Sequence, residues 1–219
     1  MPYRITHPSE SGDCGIELQG SGGIVCPGQA GFAQAQSQGT LQQLDQAPWW
    51  VTVFTSMFMH GGILHIAGNL IFLWVFGNNI EDIMGRGKFV LFYLLSGLIA
   101  LYSQALIDPQ STAPTIGASG AIAGVLGAYA VLYPRARVLT LIFIIFFVTL
   151  VEIPALALLA VWFVLQFIPA LGEVAVDVGG DQGVAYFAHV GGFIFGLAVA
   201  AVRLYFWRRR EPTPKLPVY

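Results

Sequence analysis

The chain has 219 residues, of which 56% are hydrophobic and only 10% charged, with a net charge of -2 and a mean hydropathy of +0.69. A soluble domain of this size carries about 25% charged residues, so the composition excludes an ordinary soluble core and points to a polytopic membrane protein. No Cys/His cluster has metal-ligand spacing, no phosphate-binding loop is present, and no basic, aromatic-rich stretch suits nucleic acid, so neither metals, cofactors nor nucleic acid are expected.

Residues 1–47 are polar, rich in Gly, Ser, Gln and Pro, and lack helical or alternating periodicity. They read as a loosely ordered extracytoplasmic arm. No basic segment leads into an apolar one, so this is not a signal peptide. Cys14 and Cys26 lie in the arm; outside the cytoplasm they are compatible with a disulfide or with two free thiols. His7 reads as solvated. From Pro48-Trp49-Trp50 the chain turns aromatic and amphipathic, as at a headgroup interface. A membrane domain is expected over residues 48–207 and a cytoplasmic tail over 208–219.

About 20 apolar residues cross a bilayer. Five runs approach that length: Leu64–Ile80, Phe89–Ile107, Thr115–Tyr133, Ile153–Leu171 and Val184–Val202. The expected fold is therefore an all-α polytopic bundle with five spanning helices. A further run, Val138–Val151, is too short to cross and reads as an interfacial or re-entrant lead-in to the fourth span. Of the ten basic residues, Arg86, Lys88, Arg135, Arg137, Arg203, Arg208, Arg209, Arg210 and Lys215 follow spans one, three and five, leaving only Arg4 in the arm. The other loops carry Asp108, Glu173, Asp177 and Asp181. The positive-inside rule then places the arm outside and the C-terminus in the cytoplasm, so spans one, three and five all run inward.

That parallelism brings polar side chains to one depth. Ser119 is the fifth residue of span three and His189 the sixth of span five, so each lies roughly 6–9 Å from the outer end at 1.5 Å per residue. His65 and Asn69, spaced i, i+4 on one face, occupy the outer part of span one. Polar groups inside a bilayer are costly and usually serve a function or a partner. The stripes Gly120-x-x-x-Gly124-x-x-Gly127 and Ala188-His189-x-x-Gly192-x-x-x-Gly196 allow close backbone approach beside Ser119 and His189. A serine nucleophile needs a base and oxyanion donors. No Asp or Glu lies at the depth of His189, so the pattern supports a Ser-His dyad rather than a triad. His60 reads as structural, Gln166 and Trp162 as helix-contact groups, and Glu81, Asp82 and Gly85 as a capped cytoplasmic turn.

These residues, in this order from about Trp49 to Trp207, resemble the rhomboid family of intramembrane serine proteases. The resemblance rests on His60, His65-x-x-x-Asn69, Glu81-x-x-x-Gly85, Gly117-x-Ser119-Gly120 and Ala188-His189-x-x-Gly192-x-x-x-Gly196. It implies Ser119 as nucleophile, His189 as general base, and an oxyanion and substrate-binding site at His65, Asn69 and the Gly117–Ser119 backbone. It also implies transmembrane protein substrates, a lipid bilayer as medium and, for a bacterial relative, the inner membrane. Three departures stand out. The first of the family's usual six spans is missing, Trp49-Trp50 is not followed by arginine, and Ala123 replaces an aromatic that supports the base. The competing reading is a non-proteolytic rhomboid-like protein that binds membrane clients; such relatives typically lack the serine or the histidine. A transporter would show paired inverted repeats, which this chain does not.

Overall fold

In a computed structural model of the chain, residues 6, 14–18, 24–29, 31–43, 47–109, 115–144, 147–175 and 184–210 are described. Arg4, His7, Asp177, Asp181 and Lys215 lie outside the described residues, as do residues 110–114 and 176–183 of the two acidic loops. The arm contributes strands β1 (Gly15–Glu17), β2 (Ile24–Val25) and β3 (Leu41–Gln43) and a short helix α1 (Phe32–Ser37). Then come α2 (Trp49–Thr55), α3 (Ile63–Met84), α4 (Arg86–Ile107) and α5 (Ser119–Leu132). Strands β4 (Arg137–Ile144) and β5 (Phe147–Pro154) follow, and helices α6 (Ala155–Ala175) and α7 (Tyr186–Arg210) complete the chain. Among the described residues, α3, α4 and the α7 segment Tyr186–Tyr205 are long and apolar enough to cross a bilayer; α5 and α6 supply two shorter apolar helices. The result is a helical membrane bundle.

Helix α5 is its axis. Every residue from Gly120 to Tyr129 is buried, and α4, α7 and the π-helical turn Leu73–Gly77 of α3 pack around it. A helix enclosed by protein need not reach either membrane surface. Fourteen residues therefore suffice, although they extend only about 21 Å. Span three is not helical from Thr115: Thr115–Ala118 enter as non-helical backbone and Ser119 is the first helical residue. Gly117 sets this entry with φ +117°, a region that residues with a Cβ disfavour.

The glycine stripes explain how α5 and α7 meet. A Cβ at Gly196 would run into the Gly124 carbonyl, one at Gly192 into the Gly120 carbonyl, and one at Gly127 into the Phe193 carbonyl. The two backbones are thus in direct contact. Helix α4 offers a third small-residue face. Its Ser96 packs on Gly124 and its Ser103 on Gly191, while their hydroxyls donate back to the Phe92 and Ile99 carbonyls. A hydroxyl satisfied within its own helix leaves nothing unpaired at such an interface. At the opposite end of the bundle, Gly85 terminates α3 with φ +78° and ψ 151°, a backbone region open essentially to glycine alone. Arg203 of α7 donates to the Ile83 carbonyl there at 2.7 Å.

Two segments depart from expectation. The run Val138–Val151 belongs to an antiparallel hairpin, paired from Arg137 with Pro154 to Ile144 with Phe147. Its Val, Ile, Phe and Thr content suits strands, and the hairpin returns the chain to the end where α5 finished, so α6 starts from that side. The arm is more ordered than its composition suggested. β1 pairs antiparallel with both β2 and β3, Cys14 and Cys26 form a disulfide, and Thr6 Oγ1 donates to the Pro109 carbonyl at 2.8 Å. Strands of two or three residues are too short to show alternation in a sequence.

Candidate active site

The end of the α3–α5–α7 core at which α5 begins holds a cavity of about 500 Å³. Ser119, His189, His65, Gly117 and Gln166 line it, with apolar side chains such as Met57 and Leu165. Ser119 reaches it because Gly117 turns the chain and α5 begins at the serine. The Gly117 N–H donates to the Ser56 carbonyl at 2.9 Å, holding this entry loop against the short 3-10 turn Ser56–Phe58. His189 arrives from the first turn of α7. That turn is braced by the buried Gln104 of α4, whose Oε1 accepts from the Ala188 N–H at 3.3 Å. The pattern of the sequence had not marked Gln104; a glutamine in a span, opposite a helix start, was its only signal.

His189 Nε2 lies 2.7 Å from Ser119 Oγ. On the other side of the ring, Nδ1 lies 2.7 Å from Gln166 Oε1 of α6. Trp162, one turn before Gln166, sets its indole 5.9 Å from the imidazole, tilted by 43°, and is itself backed by Phe193 of α7. Ala123, by contrast, is fully buried in the helix core. The aromatic missing from α5 is thus supplied from α6, and Trp162 and Gln166 both face the histidine rather than serving only as helix contacts.

His65 stands over the loop. A Cβ on Gly117 would come within 2.9 Å of both His65 Cε1 and Nε2, and 3.7 Å from Ser119 Oγ. Its Nδ1 accepts from the Gly61 N–H at 3.4 Å, a long bond that directs Nε2 toward Gly117. His60 meets this ring edge-on at 5.2 Å. Asn69, one turn along α3, is buried and is not among the residues lining the cavity. Its Nδ2, like His60 Nε2, is buried with no hydrogen-bond partner among the described residues. An unpaired buried amide costs about 1–3 kcal/mol. Ser119, His189, His65 and Gly117 therefore share one cavity, with Asn69 just behind it.

The arrangement can do hydrolytic chemistry: a hydroxyl touching an imidazole, at the N-terminus of a helix whose first N–H groups have no intrahelical acceptors, beside a second imidazole. Among the described residues no group of His, Cys, Asp and Glu is disposed to hold a metal ion.

Comparison with known proteins converges on one family. The Rhomboid domain matches residues 47–206. Rhomboid protease GluP of Bacillus subtilis is 40% identical over 83 residues, covering 38% of this chain and 16% of the relative. Rhomboid protein 1, mitochondrial, of Saccharomyces cerevisiae is 32% identical over 107 residues, 47% of this chain and 31% of the relative. Presenilin-associated rhomboid-like protein, mitochondrial, of Homo sapiens is 30% identical over 164 residues, 74% of this chain and 40% of the relative. The matched region is less than half the length of each of these relatives.

Proposed function

This chain belongs to the rhomboid family and is an integral membrane protein, and from that premise we propose that it is an intramembrane serine endopeptidase acting through Ser119 and His189. The observation that carries the reading is the 2.7 Å contact between Ser119 Oγ and His189 Nε2, inside a cavity that opens among membrane helices. His189 takes the hydroxyl proton as Ser119 Oγ attacks a peptide carbonyl, and returns it to the leaving amine; water then repeats the cycle on the acyl-enzyme. The tetrahedral oxyanion is received by the Ser119 backbone N–H at the start of α5, by His65 Nε2, and by the Asn69 amide, whose Nδ2 has no hydrogen-bond partner among the described residues. A helix N-terminus favours negative charge. The substrates are transmembrane proteins, presented from the bilayer near the outer ends of their helices.

The positions of the basic residues favour an orientation with the arm outside and the C-terminus in the cytoplasm, and a bacterial inner membrane suits the disulfide-bonded arm. A phosphatase fused to the C-terminus, active only outside the cytoplasm, is expected to be inactive in cells; full activity would reverse the orientation. The chemical reading is tested by labelling the detergent-solubilised chain with a fluorophosphonate, which is captured only by an activated serine. Wild type is expected to be labelled and Ser119→Ala not. An unlabelled wild type that still binds membrane clients would replace the protease reading with client binding.

A further inference from the structure

We propose that Gln166 is the positioning residue of the base: its Oε1 accepts the Nδ1 proton of His189 and so fixes the tautomer whose Nε2 can accept the proton of Ser119. The proposal rests on the dyad reading and adds to it a residue from a third helix. Three observations carry it. First, an amide oxygen can only accept, so at 2.7 Å the Nδ1 of His189 must be the donor. A neutral ring protonated at Nδ1 has a bare Nε2, and that atom is the one lying 2.7 Å from Ser119 Oγ. Second, among the described residues no carboxylate lines the cavity, so among them the orienting role that an aspartate fills in a triad has no charged occupant. Third, the same face of α6 holds the ring by packing, through Trp162 four residues earlier. A neutral amide suits this depth because it directs the proton without placing a charge in the membrane.

One consequence follows for the fold. The nucleophile sits on α5 and the base on α7, whose backbones are locked together, whereas the orienting group sits on α6, which packs against the bundle chiefly through α7. The base is therefore competent only while α6 is seated.

A glutamine bridging two helices could instead serve stability alone, and the test separates the two roles. The reading is tested by 15N NMR of His189 in detergent micelles at mildly alkaline pH, with its signals identified by their loss in His189→Gln. Wild type should show a protonated Nδ1 and an unprotonated Nε2; a ring protonated at Nε2 overturns the proposal outright. In Gln166→Leu, which keeps the volume but removes the acceptor, the Nδ1–H form should lose its dominance. Cleavage should then fall at least about 10- to 100-fold in kcat, the loss typical when the group orienting a metal-bound histidine is removed, with KM little changed. Unchanged tautomer and kcat in Gln166→Leu would reduce Gln166 to a structural bridge. If wild type shows the expected tautomer but cleaves nothing, the protease reading fails while the assignment of Gln166 stands.

Discussion

Reconstituted into liposomes with a transmembrane substrate, His189→Ala is expected to lose cleavage to background, a fall on the order of 10⁴-fold or more, and Ser119→Ala to lose it equally. The two side chains act as one unit, because the hydroxyl is a poor nucleophile until its proton has somewhere to go. Removing both should cost no more than removing either, since members of such a unit are strongly non-additive. The substitutions should spare the fold. Ser119 occupies the first position of α5, where an alanine is a good helix former, and both residues are only half-buried. Undiminished cleavage by Ser119→Ala would remove the protease reading. Retained cleavage by His189→Ala with lost cleavage by Ser119→Ala would leave the serine in place and require another base.

How much of this was legible beforehand depends on the range of the interaction. Parallel spans one, three and five follow from the basic residues, and glycine spacing foretold the α5–α7 contact; both are periodic, local signals. The meeting of Ser119 with His189 follows from them, because two parallel helices in backbone contact at Gly120 and Gly192 leave their neighbouring side chains little choice. The start of α5 at Ser119 was not legible, since it depends on the positive φ of Gly117 and on the bond from its N–H to Ser56, a partner far away in sequence. The hairpin at β4–β5 was hidden by an uninterrupted apolar run, in which alternation cannot be seen. Ala123 posed the reverse problem. Its small size raised the question of what holds the imidazole, and the answer lay on α6, in Gln166 and Trp162, whose aim toward His189 no pattern within span four reveals.

Single removals of the oxyanion donors are expected to cost less than loss of the dyad, about 10²–10³ in kcat each, with little change in KM. The reason is that these groups meet charge that develops only as the carbonyl is attacked. His65→Ala takes away the imidazole that borders Gly117 and the cavity. Asn69→Ala takes away a buried Nδ2 that has no other partner among the described residues, so it relieves an unsatisfied donor and should leave stability unchanged or improved. That combination, a slower chain that is no less stable, distinguishes a group held for the transition state from one held for packing. Gly117→Ala offers an independent check through the backbone. Its φ of +117° is hostile to a Cβ, and the added methyl would press within 2.9 Å of the His65 ring. The variant must therefore either displace His65 or shift the entry of α5, and it should reproduce the kcat loss of His65→Ala without removing any donor. Proteolysis by the three variants, alongside their thermal unfolding in detergent, provides the measurement. Full kcat in Asn69→Ala would take Asn69 out of the oxyanion site, and full kcat in Gly117→Ala would show that the geometry over Gly117 is not what places His65.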